Sequence, residues 1–463
     1  MAGVNRRTFV STSAAALLAA TASCRTPGIG SISPAAGRRP NLLVILADDL
    51  GYGDLSCYGA PDLQTPNIDG LVGGGMRFDN FDTNCPVCSP TRAALLTGRY
   101  PEWVGVPGVI RTDPKNSWGY LSPDARLLPT LLKPAGYTSA LVGKWHLGLA
   151  SPNLPNERGF DFFHGFLGDM MDDYYTHRRH SQNYMRLNGD VMDPKGHATD
   201  LFSQWACDYL RQQKPGQPFF LHLCYNAPHA PIQPPQEWLD RLLKRQPGMD
   251  PKRARICALI EHLDDGVGRV LAALREAGLE ENTLVVFTSD NGGDLAAGAR
   301  NGSVRAGKGT LYEGGLRVPA AARWPGRIKA GARSTRLAVT MDLMPTLLEA
   351  AGVRPPQNVE GRSLLPALLG RDQLEEPRDL FFGHREGGKG FEGGTIEAVR
   401  RGDWKLLRSR PGGPFELYDL RTDPLEKSDL AQSEPQKVRE LSEALNAQLE
   451  GYRAVAWRPP TGG

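Results

Sequence analysis

The sequence lacks any interior apolar run of the length, about 18 residues or more, that a membrane-crossing helix needs, so nothing after the N-terminus reads as a membrane span. Net charge is nearly absent: 54 basic against 51 acidic side chains leave +3. A balance that small carries no electrostatic footprint for nucleic acid, and a DNA- or RNA-binding role is set aside. Cysteine is sparse, seven in 463 residues, too few for a disulfide scaffold at this length. Collagen-like periodicity, a heptad seam, internal repeats and low-complexity tracts are all missing. What remains is ordinary globular composition, 40% hydrophobic and 23% charged, with enough glycine (53) and proline (37) to imply many long loops. The length suits two to three domain-sized units, or one large α/β domain with a smaller companion.

The first 24 residues read as an export signal. Arg6-Arg7 is a twin arginine, and Ala14–Ala22 is an apolar run of small residues too short to span a bilayer. Two processing outcomes compete. Cys24 is a site for a lipid anchor after cleavage at Ser23, although Thr21 stands where lipoprotein signals carry a branched aliphatic residue; alternatively, Ala20-Thr21-Ala22 is a cleavage site and Cys24 is incidental. The polar, Pro- and Gly-rich residues 25–39 read as a linker.

Asn41–Ala47, Phe219–Leu223 and Thr283–Thr288 are near-continuous apolar runs of strand length, the pattern of strands buried on both faces of a parallel sheet. Helical patterns lie between and after them: Leu127–Ala135 with Pro134 near its end, Ala254–Ala277 closed by Gly278, and Met341–Ala351 closed by Gly352. Alternation of this kind predicts an α/β fold with a large, mostly parallel sheet sandwiched by helices. Beyond residue 371 the pattern changes. Thr395–Arg400, Trp404–Leu407 and Phe415–Leu420 predict an antiparallel meander, followed by a helix over Glu434–Gln448. The expected division is a catalytic domain at 40–371 and a small α+β subdomain at 372–463.

Two of the parallel strands run into oxygen-bearing pairs, Asp48-Asp49 and Asp290-Asn291. In an open α/β sheet the site lies beyond the carboxyl ends of the strands. Three carboxylates and a carboxamide gathered there would hold a hard divalent cation, Ca²⁺ or Mg²⁺, rather than zinc. The plainer alternative is a helix cap and a turn, for which Asp-Asn-Gly-Gly is well suited. In Cys88-Ser89-Pro90-Thr91-Arg92, Ser89 reads as a helix N-cap, Pro90 as the first helical residue and Gly98 as the closing residue. Cys88 then stands at a helix N-terminus, where free N–H groups favour a thiolate or a bound oxyanion, and Arg92 can return to the same anion with its fork. A half-buried free cysteine on a capped helix is the competing reading. Cys85 and Cys88 have C-x-x-C spacing, but no second Cys/His pair at zinc-ligand spacing accompanies them.

With these residues in hand, CSPTRAALLTGRYP resembles the signature of the type I sulfatases. So do ADDLGYGD, GYTSALVGKWHLG, NAPHAP, FTSDNGG, GKGTLYEGGLRVPAAARWPG and ELYDLRTDPLEKSDLA, in order from about Pro40 to Ala431. The nearest branch is that of arylsulfatase A and N-acetylgalactosamine-6-sulfatase. The resemblance implies an alkaline-phosphatase-like fold and hydrolysis of sulfate esters, on sulfated carbohydrates. It implies that a separate formylglycine-generating enzyme oxidises Cys88 to formylglycine, whose hydrate is the nucleophile. It further implies Asp48, Asp49, Asp290 and Asn291 as metal ligands, for Ca²⁺ with Mg²⁺ the alternative, with the side chain at 88 approaching the metal. Arg92 would hold the hydrate and the sulfate. Lys144 and His146 would flank the nucleophile, and His229 and Lys308 would contact the ester, with His146 removing the diol proton and His229 protonating the leaving oxygen. Twin-arginine export carries folded protein, so Cys88 could be converted before export to the periplasm or cell surface.

Two groups are weaker candidates for the pocket wall: Asp169, Asp172, Asp173, His177, Arg178 and His180 in a polar, aromatic-rich insertion, and His384 with Arg385 in the C-terminal part. Two rival functions remain. One is a phosphonate monoester hydrolase or phosphodiesterase of the same superfamily, the other a catalytically dead glycan-binding protein.

Overall fold

The computed structural model describes residues 38–371 and 377–459. The expected export signal, the expected lipid-anchor site Cys24 and the expected linker up to residue 37 lie outside the described residues. Among the described residues, no helix is long and apolar enough to cross a membrane.

Ten strands form the main sheet: β1 (Asn41–Asp48), β2 (Met76–Phe78), β3 (Thr138–Lys144), β4 (Phe162–Phe166), β5 (Met185–Leu187), β6 (Asp190–Val191), β7 (Phe219–Pro228), β8 (Thr283–Ser289), β9 (Ala320–Arg323) and β10 (Ala332–Ser334). Their spatial order is β10-β2-β9-β8-β1-β7-β3-β4-β5-β6. The central five, β8-β1-β7-β3-β4, are parallel, and antiparallel pairings extend the sheet on both sides. Every residue of β1 is buried. Leu43, Ile45 and Ala47 enter one core and Leu42, Val44 and Leu46 the other, which is why the strand reads as an unbroken apolar run rather than an alternation.

Helices cover both faces. Helices α1 (Pro66–Gly73), α4 (Ala198–Arg211), α5 (Gln236–Arg245) and α6 (Pro251–Glu276) pack on the first, while α2 (Cys88–Thr97), α3 (Leu128–Leu132) and α7 (Leu343–Ala350) pack on the second. Helix α6 begins three residues before the expected Ala254, because the Asp250 carboxylate accepts the Arg253 N–H at 2.9 Å. The expected helix over Leu127–Ala135 is shorter: after Leu132 it tightens into a 3₁₀ turn that contains Pro134. The start of α2 also departs from expectation. Val87, not Ser89, is the N-cap, and Cys88 is the first helical residue. Ser89 does not cap because its hydroxyl accepts the Ile110 N–H at 3.0 Å. Gly98 closes the helix as expected, with φ +66° and its N–H on Ala94 O.

The C-terminal region folds as a separate antiparallel sheet, β11 (Asp379–Arg385), β12 (Thr395–Arg401), β13 (Trp404–Leu407) and β14 (Glu416–Asp419), followed by α8 (Pro435–Tyr452). Strand β11 joins the three expected strands as a fourth. Leu380, Phe382, Ile396 and Tyr418 pack with Tyr100, Leu311 and Leu316 of the larger part. Beneath this contact lies a buried ionic network: Lys405 binds both Glu313 and Glu426 at 2.9 Å, and Arg400 binds Asp82 at 2.9 Å. It fixes the segment that leads from Lys308 to Glu313.

Candidate active site

The sheet register assembles the site. Ala47 of β1 pairs with Ser289 of β8, so Asp48-Asp49 and Asp290-Asn291 emerge side by side. On its other edge, β1 shifts register after Leu46 so that Asp48 meets Pro228, and His229 follows at the same end. Gly143 pairs with Cys224 of β7, which brings Lys144 to that end as well.

All ten residues expected at the site converge there. Lys144 Nζ lies 2.5 Å from Asp48 Oδ2. Arg92 donates Nε (3.0 Å) and Nη2 (2.7 Å) to Asp290 Oδ2, and Nη1 to Lys144 O. Lys308 Nζ donates to Asp49 Oδ2 at 2.7 Å, and His229 Nε2 lies 3.6 Å from the same oxygen. Asn291 Nδ2 donates to Asp49 Oδ1, and the Asp49 N–H to Asp290 Oδ1. Asp49 adopts φ +65° and His146 φ +59°, left-handed conformations that cost energy in non-glycine residues and cluster at functional sites.

The three carboxylates thus meet three cations, so their mutual repulsion is offset partly by Arg92, Lys144 and Lys308. Two buried acceptors still have no hydrogen-bond partner, Asp48 Oδ1 and Asn291 Oδ1. Ligand atoms of Asp48, Asp49, Cys88 and His229 lie within 4.8 Å of one another. Orphaned oxygens amid such a donor set fit a metal ion, since a buried acceptor left unpaired is otherwise costly.

Burial alone would raise the Asp49 carboxyl, but the charge His229 carries when protonated and the charge of Lys308 hold it well below the usual carboxylate range. Asp290 goes the other way: burial and the neighbouring Asp48 push it up to about 6 against Arg92 and Lys144. Burial drives the Cys88 thiol up to about 12, with Lys144 and Lys308 opposing and Asp48 and Asp290 adding to the rise. The unmodified side chain is therefore a thiol; the thiolate considered from the helix N-terminus does not form, because desolvation outweighs the dipole.

Both histidines are neutral at pH 7. Burial, then Lys144 and Arg92, hold His146 well below its ordinary value. Its Nε2 lies 2.8 Å from Ile110 O; a carbonyl only accepts, so Nε2 carries the proton and Nδ1, buried and without a partner, carries the lone pair. Burial lowers His229 to about 4, with Asp49 opposing and Lys308 assisting. His229 Nδ1 lies 2.7 Å from Ala230 O, which leaves Nε2 facing Asp49.

The weaker candidates divide. Asp169 accepts from Thr112 and Arg179 beside the 110–112 segment. Asp172 and Asp173 are taken up by Arg179, Gln233 and local N–H groups, Arg178 pairs with Asp193, and buried His177 bonds Gly196 O. His180 is exposed. His384 is buried against Phe391, and Arg385 turns away to lie over Trp457. Sequence reasoning missed Ile110, whose carbonyl orients His146, and Arg111, the next residue, which pairs with Glu386 at 2.7 Å. It also missed Tyr174, 2.8 Å from the carbonyls of Asn226 and His229. A backbone carbonyl leaves no signal in a single sequence, Arg111 lies outside every recognised string, and Tyr174 falls within the aromatic-rich insertion with no pattern to set it apart from its neighbours.

A family model described as sulfatase matches residues 40–353, and one described as N-sulphoglucosamine sulphohydrolase, C-terminal, matches 306–455. The chain is 36% identical over 401 residues to N-acetylgalactosamine-6-sulfatase of Canis lupus familiaris, covering 82% of this chain and 73% of that one. It is 35% identical over 485 residues to arylsulfatase A of Homo sapiens, covering 92% and 90%. Among solved structures it resembles Ps i-CgsB in complex with k-i-k-neocarrahexaose, with TM-score 0.81 and 31% identity over 92% of this chain and 96% of that one.

Proposed function

Because this chain belongs to the sulfatase family, we propose that it hydrolyses sulfate monoesters of a sulfated carbohydrate through a formylglycine formed at Cys88 and a bound divalent cation. The single observation that carries this reading is the convergence of Cys88 with Asp48, Asp49 and His229 around two orphaned buried oxygens.

Asp48, Asp49, Asp290 and Asn291, with the side chain at 88, would hold the ion, Ca²⁺ with Mg²⁺ as the alternative. When bound it supplies positive charge to the sulfate oxygens. Oxidation of Cys88 by a formylglycine-generating enzyme replaces the thiol with an aldehyde; its hydrate offers one hydroxyl to attack sulfur and a second whose deprotonation expels sulfate.

The chain's own residues do the rest. Arg92, Lys144 and Lys308 surround the anion with fixed positive charge, already oriented by Asp290, Asp48 and Asp49, so little reorganisation accompanies charge development. The S–O bond breaks with its electron pair on the departing alcohol oxygen, and His229 is the group assigned to protonate it: Nδ1–H is held by Ala230 O, so Nε2, facing Asp49, must first take up a proton before it can pass one on. His146 takes the diol proton at Nδ1, the nitrogen left free when Nε2 binds Ile110 O.

Residues 1–24 direct export to the periplasm or cell surface, with Cys24 available for a lipid anchor, and the catalytic domain ends near residue 371. The test is expression with and without a formylglycine-generating enzyme, reading the mass of the Cys88 peptide and turnover of 4-nitrophenyl sulfate. Conversion of –CH₂SH to –CHO together with turnover is expected; a fully converted protein that releases sulfate from no ester would overturn the reading.

A further inference from the structure

A cleft of about 880 Å³ opens beside the site, and the mechanism does not use it. Its walls come from both sides of His146. One is the 110–121 segment, which begins at the Ile110 carbonyl that orients the ring; the other begins at Leu147, the next residue in the chain. The first wall is tied to the nucleophile helix through Ile110 N–H on Ser89 Oγ. Cleft and reacting centre therefore share a rigid frame.

The lining is chemically one-sided. It contains Arg111, Lys115 and Arg458, and no Asp or Glu. Arg111 is neutralised by Glu386. Among the described residues, Lys115 and Arg458 have no carboxylate partner, and both are exposed. Against them stand Trp118 and Trp457, stacked at 5.7 Å and 17°, with the Arg458 guanidinium 4.4 Å over the Trp457 ring. Two uncompensated cations around an indole pair suit a ligand with apolar C–H faces and fixed negative charges. The volume falls within the ~300–1,000 Å³ of ordinary ligand sites and exceeds what one sugar ring fills.

We propose that this cleft binds the neighbouring rings of an anionic oligosaccharide while its sulfated ring occupies the site at Cys88, so that the enzyme prefers chains over monosaccharides. The proposal rests on the function proposed above. Sugar rings pack by their apolar faces against the part of the indole pair that Arg385 and Arg458 leave uncovered, and their sulfate or carboxylate groups pair with Lys115 and Arg458. Stacking supplies area, and the charges supply sign selectivity.

The test separates this inference from the reading beneath it. Binding is measured by titration calorimetry with Cys88→Ala protein, which turns nothing over, against di-, tetra- and hexasaccharides of chondroitin 6-sulfate and ι-carrageenan. Affinity for at least one series should rise with length, and Lys115→Glu/Arg458→Glu should weaken the hexasaccharide by about ten-fold or more while leaving the disaccharide within about two-fold. The same pair in matured Cys88 protein should leave 4-nitrophenyl sulfate turnover unchanged. Equal affinity at all lengths in both series, or a length preference that survives the double charge reversal, would overturn the cleft proposal. Loss of aryl sulfate turnover by the matured parent protein would count against the sulfatase mechanism, whereas the calorimetric result reports on the cleft alone.

Discussion

Lys144 Nζ lies 2.5 Å from Asp48 Oδ2, and neither side chain is exposed to solvent. They come from strands separated by one neighbour in the sheet, so this ion pair joins the end of β1 that carries Asp48 and Asp49 to the segment that ends at His146. Burial opposes the Lys144 charge, yet Asp48 raises its pKa overall. Lys144→Met leaves Asp48 without its partner, and breaking such a buried pair costs about 3–5 kcal/mol. A lowered denaturation midpoint together with a large loss of kcat on aryl sulfate is expected; unchanged stability would show that the pair holds nothing.

The orphaned oxygens of Asp48 and Asn291 make a prediction about ions. Ca²⁺ at a hundred-fold excess over its Kd should stabilise the protein by about 2.7 kcal/mol, and a chelator should remove that gain. Asn291→Ala should abolish the ion-dependent rise in melting temperature. Mg²⁺ in place of Ca²⁺ tests which ion the site takes. A melting temperature indifferent to both ions and to chelation would argue against a metal centre.

His146 combines a left-handed backbone with a free Nδ1. Asparagine tolerates that backbone better than most residues, so His146→Asn should leave stability within about 1 kcal/mol. Turnover should fall by about 10²–10⁴-fold, the usual worth of general acid–base assistance. Retained kcat in the folded variant would remove His146 from the mechanism.

Glu102 supplies a pH dependence away from the site. Burial raises its carboxyl to about 7, and its Oε1 fits against Gly383, where an added Cβ would come within 2.4 Å. The folded protein keeps this proton up to about pH 7, while the unfolded chain releases it above about 4.5. The folded state therefore binds more protons in that window, and stability falls as pH rises from about 4.5 to 7, by at most ~3 kcal/mol. Glu102→Gln should flatten the melting-temperature profile over that range and raise it at pH 8. A parallel profile in parent and variant would assign the dependence elsewhere.

Much of this protein was legible in its residues. Runs such as Leu42–Ala47 announced a two-sided core because both faces of β1 are covered. Asp48-Asp49 and Asp290-Asn291 were readable as a pair of strand ends, and the pairing of Ala47 with Ser289 brings them together. The cap of α2 was misread at Ser89, since only the folded chain reveals that Ile110 claims that hydroxyl. The Cys88 thiolate considered from the helix dipole failed for a related reason: a dipole can be inferred from local sequence, but desolvation depends on everything packed around the thiol.

By itself, then, the sequence determined the periodicity of the elements, the chemical types gathered for the reaction and the resemblance that orders them, because these depend on residue identity and short-range spacing. Tertiary structure alone decided the charge balance among Asp48, Asp49, Asp290 and their three cations, the tautomers of His146 and His229, and the cleft between Trp118 and Trp457. Those depend on distances between residues far apart in the chain, and electrostatic and packing energies are set by separation in space rather than along the backbone.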